Sequence, residues 1–197
     1  MAVAKAKRQY RMTRRAASTE ATRQRIISAT WDLSLKRWYD EITLRDIAAI
    51  AGVSLPTVVN HFGTKEGIVA AALDEPLPEG LMTRTAAKPD DIAGAVRLLV
   101  DDYERVGDAV IRLLALEGRV PALQPRIDLG RKQQREWVER TFPAALSQLR
   151  GAARKRRLDL LVCAAGVYTW KLLRRDQGLS QTQTAAAIRE LVEALHR

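Results

Sequence analysis

Residues Thr43-Leu-Arg-Asp-Ile-Ala-Ala-Ile-Ala-Gly-Val-Ser-Leu-Pro-Thr-Val-Val-Asn-His-Phe62 decide the fold of this chain. Thr43 and Asp46 read as a capping box, with Asp at the third position, that opens a short helix facing Ile47, Ala48 and Ala51 inward. Gly52 stops that helix, because a residue without Cβ takes a positive φ at little cost. Ser54 caps a following helix whose Pro56 lies in the first turn, where a missing N–H sacrifices no hydrogen bond. Two short helices joined at a tight glycine turn, with small Ala48 at the crossing and Val53 in the corner, make a helix-turn-helix. The second helix of such a pair fits the DNA major groove.

Working outward, Ser18 or Thr19 is the expected start of a first helix with an apolar stripe at Ile26, Ile27, Thr30, Leu33 and Trp38. Trp31, Trp38 and Phe62 read as packing for a three-helix core. Gly63 ends the third helix, and Thr64 caps a fourth running through Ile68, Val69 and Leu73. Pro76, Pro78, Gly80 and Pro89 then mark residues 74–89 as a connection. Beyond it, helical patterns cover 90–106, 108–117, 126–149 (broken near Thr141 by Pro143), 154–176 and 181–196. No segment sustains a two-residue alternation. The expectation is an all-α chain: a basic disordered arm at 1–17, a helix-turn-helix domain at 18–73, the connection, and a helical bundle at 90–197.

The chain has 197 residues, 47% of them apolar, and a net charge of +10. That length suits one domain or a small module on a larger one, and the apolar share argues against disorder. One cysteine excludes a disulfide scaffold, and no spacing of His or Cys suits a metal, so no cofactor is expected. No apolar run is long enough for a membrane span, and the basic N-terminus lacks a signal-peptide core, so a cytoplasmic protein is expected. The charge is unevenly held. Residues 1–17 carry six basic side chains and no acid, residues 154–175 net +6, and residues 18–70 hold six of each sign. Arg8, Arg11, Arg14 and Arg15 in the first segment suit contact with a phosphate backbone. The second run, Arg154–Arg157, lies near a helix start, where the dipole disfavours cations, and salt links to Asp101 or Asp102 are open to it.

The motif continues into His61-Phe62-Gly-Thr-Lys65-Glu-Gly-Ile68, and with Thr22-Arg-Gln-Arg-Ile-Ile-Ser-Ala-Thr-Trp31 before it the sequence resembles the tetracycline-repressor (TetR) family of dimeric, ligand-responsive transcriptional regulators. The resemblance is dense over residues 19–73, and Val167–Arg175 is similar to the C-terminal segment of actinobacterial members. It implies DNA contact by Thr43, Arg45, Ser54, Leu55, Pro56, Thr57, Asn60, His61, Thr64 and Lys65. Arg45 matches a position that reaches a base edge, Leu55 and Pro56 positions that meet thymine methyls, and His61 and Lys65 positions on the phosphate backbone. Val59 stands where the family usually has Tyr. Asn60, the one Asn of the chain, reads either as a bidentate partner of adenine or as a solvated or helix-end residue.

The resemblance also implies a ligand cavity in the bundle and a dimer. Cavity candidates are Leu99, Tyr103, Val106, Leu114, Trp137, Val138, Phe142, Cys163 and Val167, each equally readable as ordinary core; their apolar character points to an apolar or aromatic small-molecule effector. Ile188, Leu191, Val192 and Leu195 form a stripe on the last helix, and with Leu161, Ala165 and Leu172 before it they suit a four-helix interface between two copies. Two copies would read a palindromic operator on double-stranded DNA. The sequence-specific repressor competes with a nonspecific architectural or RNA-binding helical protein and with a ligand-independent activator. An enzyme is not expected: the chain has no phosphate loop and no nucleophile elbow, and adjacent Asp101 and Asp102 diverge by about 100° on a helix.

Overall fold

Side-chain caps and small residues delimit most helices of this protein. A computed structural model describes residues 2–75 and 83–196, with side chains described from Ala16 onward except those of Leu73 and Asp74. Among these residues the chain is helical with no strand, and it divides into two units, Met1–Glu75 and Pro76–Arg197.

The first unit holds α1 (Ala2–Ser34), α2 (Leu44–Ala51), α3 (Leu55–Phe62) and α4 (Lys65–Asp74), with a 3-10 turn at Tyr39–Glu41. Residues 2–17, expected as an irregular arm, instead continue α1, and Ser18 caps nothing. The reason is local: no Gly or Pro interrupts residues 2–34, and Ala, Lys, Arg and Gln favour helix throughout the segment. Ile26, Ala29, Leu33, Ile42, Ile47, Ala48, Ala51, Val58 and Ile68 form the core, closed by half-buried Leu44, Val53 and Phe62. Trp31 is half-buried and its Nε1 donates to the Ala72 carbonyl at 2.9 Å. Trp38, expected in the core, is 48% exposed, because α1 has ended at Ser34 and its periodicity no longer applies.

The second unit begins, where described, with a 3-10 turn at Arg84–Ala86 and then α5 (Ile92–Leu114). A 3-10 turn at Pro121–Leu123 leads into α6 (Gln124–Thr141), followed by α7 (Ala144–Ser147) and α8 (Gly151–Ala164). α9 (Val167–Lys171) runs into a π-turn at Leu172–Asp176, and α10 (Gln181–Ala194) completes the bundle behind a Ser180–Gln183 capping box. The patterns at 90–106 and 108–117 fuse into one helix across Gly107. That glycine is a contact surface, not a breaker: a Cβ on it would lie 2.5 Å from Trp170 Cζ3. Trp170 is fully buried, lies 5.7 Å from the Tyr103 ring and donates Nε1 to Glu104 at 3.0 Å. The π-turn lets two successive residues reach α5: Arg174 Nε meets Glu104 at 2.9 Å, and Arg175 meets Asp108 through two bonds of 3.1 and 3.0 Å.

Asp102 is buried, and its carboxylate accepts from Thr83 N (2.7 Å), Thr83 Oγ1 (2.9 Å), Arg84 N (3.0 Å) and the Arg105 guanidinium. It ties the entry turn to α5. The basic run pairs with neither Asp101 nor Asp102. Arg154 meets Glu139 at 2.7 Å and Arg157 donates to the Leu195 carbonyl, so these two fasten α8 to its neighbours, while Lys155 pairs with Asp159 within α8 at 3.0 Å.

Gly107→Ala should destabilise this unit by about 1–3 kcal/mol, the usual cost of overpacking a rigid ring. Gly130→Ala, in α6 with no atom within 4 Å of the added Cβ, should stabilise by about 0.5–1 kcal/mol through helix propensity. Urea denaturation of both variants checks the pair, and equal signs would contradict the packing described.

Candidate nucleic-acid interface

The α2–α3 corner is built from caps. Thr43 Oγ1 accepts the Asp46 N–H at 3.1 Å, and the Asp46 carboxylate accepts the Thr43 N–H at 2.9 Å, completing the expected box. These bonds, backbone first and then the Thr43 hydroxyl, with Arg37 as a smaller influence, hold the Asp46 carboxyl below the ordinary carboxylate range. Gly52 takes φ 63° and ψ 41°, and its N–H and that of Val53 return to α2 carbonyls. Ser54 then caps α3 by accepting the Thr57 N–H at 3.3 Å, while the Ser54 and Thr57 hydroxyls bond each other at 2.8 Å. Thr64 caps α4 by accepting the Gly67 N–H at 3.1 Å.

Lys65 has unexpected company. Its Nζ donates to the carbonyls of Tyr39 (2.8 Å) and Ile42 (3.0 Å) and lies 3.9 Å from the Tyr39 ring centre. The Tyr39 hydroxyl donates to Glu66, next along α4. Burial first, then this bond, pushes the Tyr39 phenol well above its ordinary pKa, and the same bond holds the Glu66 carboxyl low. Thus the residue expected on a phosphate fastens the start of α4 to the 3-10 turn ahead of α2, using two of its three donors.

The outward face consists of what remains. Arg45 on α2, and Pro56, Val59 and Asn60 on α3, are exposed, whereas Leu55, Thr57 and His61 are half-buried and Val58 and Phe62 turn to the core. His61 lies 6.1 Å from the Phe62 ring in a tilted arrangement. Thr43, Ser54 and Thr64 have their hydroxyls committed to caps. Arg45 and Asn60 are exposed with no hydrogen bond or ion pair among the described residues. The side chains of Arg8, Arg11, Arg14 and Arg15 lie outside the described residues. Sequence reasoning passed over Arg25: its Nη1 is 3.9 Å from where a Gly52 Cβ would stand, so a cation borders the turn. Its i, i+3 relation to Thr22, to which it donates at 3.4 Å, was the available signal.

In the second unit, Leu99, Tyr103, Val106, Trp137, Val138 and Phe142 are buried, and all but Val106 share one core cluster; Leu114 and Val167 are half-buried. The Tyr103 hydroxyl donates to the Ala165 carbonyl at 3.0 Å, and Trp137 Nε1 donates to the Arg84 carbonyl at 2.9 Å. Cys163, expected among the cavity candidates, is exposed, because its position on α8 faces away from buried Leu161 and Ala164. Of the candidates for an interface between copies, Leu161, Ala165, Ile188 and Val192 are buried within the monomer's own core. Leu172 and Leu191 are exposed, Leu195 is half-buried, and Leu160 and Tyr168 join the exposed set. The stripe on α10 is real, but one chain already uses most of it.

Lys65→Met should cost the first unit about 1–3 kcal/mol, since two buried-side carbonyl contacts lose a charged donor; thermal denaturation indistinguishable from the parent would remove this structural role. Because the Asp46 pKa is depressed on folding, the stability it contributes is present above the ordinary carboxylate pKa and fades as pH falls through the lowered folded value. Asp46→Asn should therefore weaken the unit at neutral pH and flatten its acid limb. An acid limb as steep as the parent's would contradict the box.

Residues 26–72 match the profile of the tetR family of bacterial regulatory proteins. The HTH-type transcriptional regulator AlkX of Mycobacterium tuberculosis (strain ATCC 25618 / H37Rv) is 40% identical over 52 residues, which are 26% of this chain. The match spans only 25% of that relative's length. A solved structure of a candidate transcriptional regulator from Pseudomonas aeruginosa PAO1 superposes with a TM-score of 0.62 at 16% identity, covering 88% of this chain and 89% of that one, so the two share a fold. The similarity to the tetR family is thus carried by the helix-turn-helix segment, residues 26–72.

Proposed function

We propose that this protein is a cytoplasmic, sequence-specific DNA-binding transcriptional regulator that works as a dimeric, non-enzymatic repressor and leaves a palindromic operator when a small molecule binds its helical unit. The observation that carries the reading is the outward α2–α3 face, where Arg45 and Asn60 stay exposed and unbonded while neighbouring polar groups serve caps. An arginine fork suits the guanine edge, and an asparagine amide suits adenine. Pro56 and Val59 on the same face offer apolar contact to thymine methyls. The basic residues of α1 add sequence-independent attraction to phosphate, as Arg25 does beside the turn.

Dimerisation follows from reach. One recognition helix reads only a few base pairs, and two held about 34 Å apart read a palindrome. Leu160, Tyr168, Leu172 and Leu191 supply exposed apolar area on α8, the α9 segment and α10 for such a contact. A ligand that favours a spacing unsuited to the operator releases it, and linkage requires operator and ligand to weaken each other by the same factor. The apolar core around Tyr103, Trp137 and Phe142 favours an apolar or aromatic effector.

In a binding-site selection, Arg45→Ala and Asn60→Ala should each erase preference at one operator position, a loss of about 1–3 kcal/mol of discrimination. Unchanged profiles for both would sink this account of readout. Sedimentation of the parent should give twice the 22.0 kDa chain mass, and Leu160→Glu with Leu191→Glu should halve it without unfolding the chain. A monomeric parent would refute the dimer.

A further inference from the structure

Positions along α1 sort its charge by face. Steps of three and four residues lead from Lys7 through Arg11, Arg14, Ser18, Thr22 and Arg25 to Ala29, which is one side of an uninterrupted helix. The positions of Arg8 and Arg15 flank that row, each within about 60° of Arg11. Lys5 stands about 120° from Arg11 round the helix. Glu20, the single acid among residues 1–31, stands about 180° from it, and pairs there with Arg23 at 3.5 Å. Five of the six cations of residues 1–17 thus share one side of α1, and no acid lies among them.

That side is the one α1 turns to the helix-turn-helix. Ala29 and, beside the row, Ile26 and Leu33 pack into one core with Ile47 and Val58. Arg25 lies beside the turn, its Nη1 3.9 Å from where a Gly52 Cβ would stand. It donates to Thr22 at 3.4 Å and has no ion pair among the described residues. Residues 16–21 are all exposed, so α2 and α3 no longer cover α1 there and the row overhangs them. The helix enters the overhang by propagation from its packed part, which needs no new nucleus. Like charges three and four residues apart oppose the helix that carries them, so the row does not serve the stability of α1. From Lys7 to Arg25 the rise is about 27 Å, the length of about eight base-pair steps.

We propose that this face of α1 is a rigid rail for the phosphate backbone of duplex DNA, held in fixed phase with the turn at Gly52. The proposal rests on the DNA-binding reading of the first unit and adds that helix phase, as well as charge, sets the attraction. A row of cations of this length complements a polyanion, and its continuity with the α2–α3 corner selects a duplex. The test uses the full chain and a duplex of random sequence, with affinity measured by fluorescence anisotropy across a salt series. Arg11→Gln should lower the slope of log affinity against log salt by about 0.9, the share of one neutralised phosphate. Lys5→Gln removes the same charge from another side and should leave the slope unchanged. Inserting two alanines between Ala17 and Ser18 keeps the charge and the helix but turns the row by about 200°. It should lower the slope as far as replacing all five cations by Gln. Circular dichroism should show the parent's helicity in each variant. Equal slopes for Lys5→Gln and Arg11→Gln, or an insertion variant that binds as the parent does, would overturn the rail, because charge on a flexible arm acts regardless of phase. A parent that binds no duplex would instead sink the DNA reading, and the rail with it. Phosphatidylserine vesicles that separate the variants where duplex does not would assign the face to a membrane and overturn the proposal.

Discussion

The left-handed turn at Gly52 governs the first unit. With φ at 63° it sends the chain from α2 to α3 within three residues, and the N–H groups of Gly52 and Val53 close back on α2. A side chain here would incur the steric cost of the left-handed region, about 1–2 kcal/mol. More consequentially, the turn decides which residues of α3 point outward. Because Val58 and Phe62 must meet Ile26, Ile47 and Ile68, Pro56, Val59 and Asn60 are left on the opposite face. The exposed face is thus a by-product of core packing around one turn.

Charge is divided by task. The +10 of the chain suggests a general attraction to nucleic acid, yet residues 18–70 are neutral. Within them Arg37, Asp46, Lys65, Glu66 and Tyr39 are occupied in fastening loops to helix starts. Few polar groups of that stretch remain free, which is why Arg45 and Asn60 stand out. In the second unit the basic run of α8 is partly occupied as well: Arg154 meets Glu139, Arg157 the Leu195 carbonyl, and Lys155 Asp159 of the same helix. Two of its four charges, Arg154 and Arg157, thus serve to fasten α8.

Much of the first unit was legible because its signals are local. Thr43, Gly52, Ser54 and Thr64 each act within a few residues, and a cap or a positive φ needs no distant partner to be recognised. The break before Pro143 and the helix start at residue 181 were legible for the same reason. Misreadings arose where a residue's role depends on something remote. Gly107 looked like a helix boundary because its reason for being glycine, the Trp170 ring, lies 63 positions away. The tie that Lys65 makes was not visible in sequence because its carbonyl partners come from the turn at residues 39–42. Cys163 and the α10 stripe show the same limit: helical periodicity names a face but not what covers it.

By itself, then, the amino-acid sequence determined the helical class, the helix-turn-helix with its caps, and the location of excess charge, because these depend on local backbone preference and on composition. Tertiary structure alone decided which face of each helix is buried and which cations are already committed. Those outcomes depend on contacts between residues far apart in the chain, and no local pattern encodes which distant side chain will satisfy a given group.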